Sequence, residues 1–144
     1  MAGTAVALAG CGSSGTLTHA QLVSRANAVC RSTDAQIAAL PVPRNLKALA
    51  SYATSTRSAT ARLQQSLSAL HASTSDKPAL TRYLAALEQG DALLARISTA
   101  AGGGHSATVS SLGDQLAAVP AGALATDAGL SACATPSTSA GIAG

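Results

Sequence analysis

An all-α fold, an antiparallel up-down-up-down four-helix bundle, is what this sequence predicts, on three observations. Nearly half the residues are apolar, but much of that share is alanine, there is no Phe or Trp, and Tyr52 and Tyr83 are the two aromatic residues. Alanine has the highest helix propensity, whereas strands favour β-branched and aromatic residues. Apolar residues recur at three- and four-residue steps along separate stretches, with Pro- or Gly-containing breaks between them. Breaks of about four to six residues make consecutive helices antiparallel neighbours. The length, 144 residues, suits one domain. Its core is expected to be thin, because burial contributes roughly 25 cal/mol per Å² and alanine has little surface to bury.

The first helix is expected to start after Thr18, which has capping-box spacing to Gln21. Its stripe is Leu22, Ala26, Val29 or Cys30, Thr33, Ile37 and Leu40, and Pro41-Val42-Pro43 ends it. The second helix, about 45–71, carries a heptad seam of Leu46, Leu49, Ala53, Thr56, Thr60, Leu63, Leu67 and Leu70. Residues 72–76 form a turn, with Ser75 or Asp76 capping a third helix that holds Pro78 in its first turn. That helix presents Leu80, Leu84, Leu87, Gly90 or Asp91, Leu94 and Ile97, and Gly102-Gly103-Gly104 ends it. A fourth helix from Ser106 carries Val109, Leu112, Leu116 and Val119, then is kinked or broken near Pro120 before a last stretch to about Ala128. The bundle domain spans 18–133, and 134–144 lacks periodicity and is expected to be disordered.

Charge excludes one class of function. The nine basic residues are scattered singly, whereas nucleic-acid binders concentrate them on one face or interleave them with aromatics. No nucleic-acid partner is expected.

Three cysteines are an odd count for an exported chain. Residues 1–10 are small and apolar, and Leu8-Ala9-Gly10-Cys11 resembles the bacterial lipobox. The resemblance implies a signal peptide over 1–10, a diacylglyceryl thioether on Cys11, cleavage before it, and acylation (palmitate, for example) of the new amino group. Several acyl chains suffice for stable anchoring, so Cys11 would place the protein on the extracytoplasmic face of a cell membrane, its partner there being lipid. Signal peptides carry Lys or Arg ahead of the apolar segment, and none stands here. A true start upstream that supplies the basic segment is therefore expected. Residues 11–17 then read as the anchor cysteine and a flexible tether. A chance match of an Ala/Gly-rich terminus is the other reading.

With Cys11 lipidated, Cys30 and Cys133 remain, and an exported compartment favours oxidation. Residues 130–133 in extended form climb back about 13 Å along the first helix, which makes the pairing feasible; two unpaired buried thiols are the alternative. Ala26-Asn27-Ala28-Val29-Cys30, Leu40-Pro41-Val42-Pro43, Tyr83-Leu84-Ala85-Ala86-Leu87 and Gly129-Leu130-Ser131-Ala132-Cys133 resemble a group of small secreted or lipid-anchored bacterial helical proteins. That group shares the early helix Cys and the closing Gly-Leu-x-x-Cys. The resemblance supports the helical fold and the disulfide and implies no activity.

Chemistry is sparse. His19 and His71 are expected at one end of the bundle and His105 at the other, which is too few ligands for zinc. Glu88 is the one glutamate and Met1 the one methionine, which disfavours di-iron and copper sites. No cofactor or metal is expected. The aspartates are dispersed, and Asp91 near the third stripe is expected to pair with Arg57 or Arg62. No nucleophile elbow or phosphate loop occurs, so no catalytic residue is assigned and the chain is not expected to be an enzyme. Thr56 and Thr60 are expected to bond the carbonyl four residues back. The alternative has them facing a ligand together with Tyr52 and Tyr83. The function expected is a membrane-anchored, non-catalytic module that binds a protein or envelope component. A small-ligand-binding or sensor-like bundle is the alternative, and an enzyme the distant one.

Overall fold

The computed structural model describes residues 15–135; the expected signal peptide, the Cys11 anchor, the first part of the tether and the tail from 136 to 144 lie outside them. The described residues are helical and contain no strand: α1 His19–Ala38, α2 Leu46–Ser68, α3 Lys77–Gly102, α4 Ser106–Ala117, α5 Ala121–Asp127 and the single turn α6 Ser131–Ala134.

Helix ends follow local chemistry. Thr18 Oγ1 accepts from the Gln21 amide while Gln21 Oε1 accepts from the Thr18 amide, so the capping box is complete. Asn45 Oδ1 accepts from the Ala48 amide at 2.8 Å and starts α2. Both α1 and α2 stop two to three residues short of the expected ends, before Leu40 and His71. Asp76 precedes α3 but makes no side-chain cap. Left-handed glycines close two helices. Gly104 (φ 75°) follows α3 and lets His105 N–H reach Ala100 O, and Gly129 (φ 74°) follows α5 and lets Leu130 N–H reach Ala125 O. Pro120 stands between α4 and α5, so the expected interruption is a full break.

Consecutive helices α1, α2, α3 and α4 pack on one another; α5 packs on α3 and α6, and α6 on α1. The fourth helix, expected to be kinked or broken near Pro120, is two helices, and a closing turn follows them. The core divides in two. One cluster joins Leu17, Leu22, Ala26 and Cys30 to Leu63, Leu67, Leu80, Tyr83, Ala125 and Leu130. The other joins Ala53 to Leu93, Leu94, Ile97, Ala100, Ala101, Val109 and Leu112. On α2 the two clusters are separated by Thr56 and Ala59, both buried.

Three expectations need correction. Leu17, assigned to the tether, is 8% exposed within the first cluster, and its N–H donates to His71 O at 2.8 Å. An apolar side chain next to the cap gains more from the core than from solvent. The α3 stripe is rotated, with Tyr83, Ala86 and Leu93 buried while Leu84 and Leu87 are half-buried. Three neighbours, α2, α4 and α5, surround α3, so a single seam is too narrow for it. Residues 130–133 are not extended, because Gly129 turns the chain and α6 delivers Cys133.

Cys30 and Cys133 form a disulfide with Cα atoms 5.1 Å apart across 103 residues of sequence. Beside it, Asn27 Oδ1 accepts from the Ala132 amide at 2.9 Å. Replacing both cysteines by alanine is expected to lower the unfolding free energy by up to about 4–5 kcal/mol, the chain-entropy value for a loop of roughly 100 residues. Denaturant titration measures this, and a change under about 1 kcal/mol would show that the staple is dispensable.

Candidate functional site

Four places gather the polar residues that bear on function: a corner at the start of α1, an ion pair on the α2–α3 seam, the layer between the two core clusters, and the face between α3 and α4.

At the corner, the α2–α3 turn brings Asp76 to the first residue of α1. His19 Nδ1 and Asp76 Oδ1 lie 2.8 Å apart, and the Ser73 hydroxyl donates to Asp76 Oδ2 at 2.7 Å. Ser73 Oγ also accepts from the Asp76 amide. The bond from Ser73, then that from His19, holds the Asp76 carboxyl below the usual carboxylate range. Its carboxylate, expected to cap α3, is instead committed to tying that helix's start to α1. His71 lies at this same end, its carbonyl accepting from Leu17, whereas the His105 ring lies beside Gly103 past the far end of α3.

On the seam, Arg57 Nε and Nη2 donate to Asp91 Oδ1 and Oδ2 at 3.1 and 3.0 Å. The bond to Asp91 and its charge push the guanidinium pKa up. Of the two arginines expected for Asp91, this is Arg57; Arg62 donates to Gln36 Oε1 instead. Both members are partly solvated, so the pair contributes about 0.5 kcal/mol.

Between the clusters, Thr56 is 2% exposed and its Oγ1 has no hydrogen-bond partner. The expected bond to the carbonyl four residues back is not made. Thr60 and Tyr52, on the same helix, are half-buried. Tyr83 is 2% exposed, and burial together with the negative charge of Asp34 pushes its phenol up to about 12. It stays protonated at neutral pH and is no base. These four residues do not converge on any opening described here.

The openings lie elsewhere. Two adjoining depressions run along α3 and α4, of about 460 and 570 Å³, and share Arg96. Leu93, Ala100 and Leu112 give them an apolar floor, and Gln89, Thr99, Thr108, Gln115 and His105 give them polar walls. Arg96 is exposed and makes no ion pair among the described residues. The sequence reading missed this face because its basic and amide residues look like an ordinary solvated helix surface; that α4 docks beside it is a tertiary fact.

No group of three or more His, Cys, Asp or Glu that could hold a metal occurs among the described residues, and none of their helices is long and apolar enough to cross a membrane. No family model, curated protein or solved structure matches the chain.

Two outcomes test the polar layers. Thr56→Val keeps the shape and removes an unpartnered hydroxyl, so the unfolding free energy is expected to rise by about 1 kcal/mol, read as a higher denaturant midpoint. For Asp76, a folded pKa below the unfolded one means its contribution is present above the unfolded value and lost as pH falls through the folded one. Ser73→Ala is expected to raise the Asp76 titration midpoint, followed by carboxyl carbon NMR, and by more than His19→Ala does.

Proposed function

We propose that this chain is a lipid-anchored, extracytoplasmic binding module, held to the membrane through Cys11, that engages a protein or envelope partner along the α3–α4 face. The observation that carries the reading is a contrast. The residues suited to an internal ligand, Thr56 and Tyr83, lie in closed core, while the open space lies outside it around Arg96. A cation beside an apolar floor, flanked by Gln and Thr side chains, fits an extended segment that offers a carboxylate next to an apolar group. A ligand-binding bundle built on Tyr52, Thr56, Thr60 and Tyr83 has less support, because no depression described here is lined by them. Catalysis has less still: the perturbed groups are a structural carboxylate, a structural arginine and a protonated phenol, and the Ser73 hydroxyl lies beside a carboxylate that its bonds to Ser73 and His19 hold below the usual range, which makes Asp76 a weak base.

Two measurements test the proposal. Intact mass of membrane-derived protein is expected to show diacylglyceryl and acyl mass on Cys11, and an unmodified Cys11 thiol would remove the anchoring half. A photo-reactive residue at Ala92, which lines the groove, is expected to give a discrete adduct in cells that Arg96→Glu diminishes. The same probe at Arg31, exposed on α1, is expected to give none. Equal labelling from both positions would remove the binding half.

A further inference from the structure

The chain is fixed from Leu17 onward: its side chain is in the core, its N–H is bonded to His71 O, and the capping box follows at once. Six peptide units separate Cys11 from Leu17, and they reach about 22 Å at most. A thioether glycerol lies at the base of the headgroup layer, so about 5–8 Å of that reach is spent crossing it. α3, by contrast, runs 26 residues from the Asp76 corner through Gly102, about 39 Å at 1.5 Å per residue.

We infer that the end of the bundle formed by Leu17, the α2–α3 turn and Gly129 rests against the polar headgroup layer of a phospholipid bilayer, with the α3–α4 corner directed away from it. The inference rests on the reading of Cys11 as the lipidated residue and adds to it a surface and an orientation. Tether length alone keeps the far end of α3 from lying lowest. A bundle lying on its side would need an apolar or basic flank to hold it there. Val42, in the distal α1–α2 loop, is the exposed large hydrophobic residue among those described, and the basic residues are scattered singly. The proximal end suits a headgroup layer. Thr18, Thr74 and Ser75 are exposed hydroxyls, and the Asp76 charge is engaged by His19 and Ser73. The exposed charges at this end include Lys77 and Asp127, opposite in sign, so they largely offset one another, the tether sets the contact, and salt screening has little to remove.

The test uses the full chain, in which Cys11 is the one thiol outside the disulfide, coupled to a maleimide lipid in phosphatidylcholine vesicles. A photo-reactive residue is placed at Thr74, in the proximal turn, or at Gly102, where an added Cβ meets nothing within 4 Å. Several-fold more phospholipid adduct is expected from position 74 than from 102, equally at low and high salt. Equal yields, an excess at 102, or an excess that disappears in high salt would overturn the orientation. Protein isolated from membranes is run alongside with intact mass on Cys11. Absence of acyl mass there overturns the anchoring reading and this inference with it, whereas an acylated Cys11 with equal adducts overturns the orientation alone.

Discussion

The bond between Cys30 and Cys133 is the constraint on which the rest of this bundle depends. An alanine-rich interior buries little surface per residue, so noncovalent packing alone leaves a narrow margin over the conformational entropy of the chain. Joining the middle of α1 to the end of the chain removes much of that entropy from the unfolded state. The junction is made specific by its surroundings. Gly129 turns the backbone, Leu130 enters the core, and the Asn27 carboxamide receives the Ala132 amide. Only then does α6 bring Cys133 onto α1.

Local signals in the sequence were read well where the physics is local. The Thr18–Gln21 box, the Gly102–Gly104 stop and the break at Pro120 depend on residues within a few positions of one another, and all three are observed. So is the cysteine pair, which was expected because setting Cys11 aside leaves two thiols. What was misread depends on tertiary neighbours. Asp76 has the sequence of a cap, yet Ser73 and His19 offer its carboxylate better partners than the α3 amides do. Asn27 looks like any polar residue inside a helix until Ala132 stands opposite it. The burial of Tyr83 and Ala86, rather than of Leu84 and Leu87, reflects packing on three sides that a one-seam reading does not contain.

Candidate function followed the same division. Thr56 stood out as a polar residue on an apolar seam and Tyr83 as one of two aromatic residues, and both are buried where they stand. The α3–α4 face, by contrast, is assembled from Arg96, Gln89, Gln115 and His105, none of which is distinctive alone. Its geometry arises where α4 turns back after Gly104 and lies beside α3, so residues from both helices line it. The packing of α4 on α3 thus shapes the accessible surface more than any motif does.

The division of the core into two clusters has a dynamic consequence. The first cluster gathers side chains from α1, α2, α3 and α5 and contains the disulfide; the second is made by α2, α3 and α4 alone. Across α2 and α3 the second half adds one hydroxyl bridge, Thr54 to Ser98 at 2.9 Å with Ser98 also donating to Ala50 O. The two halves therefore form cooperative units of unequal strength. α4 contributes to the second cluster alone, so its opening would leave the staple and the packing around Leu17 intact, and backbone amides of Val109 and Leu112 are expected to exchange with solvent faster than those of Ala26 and Leu67. One wall of the groove thus belongs to the half of the bundle that the staple does not hold.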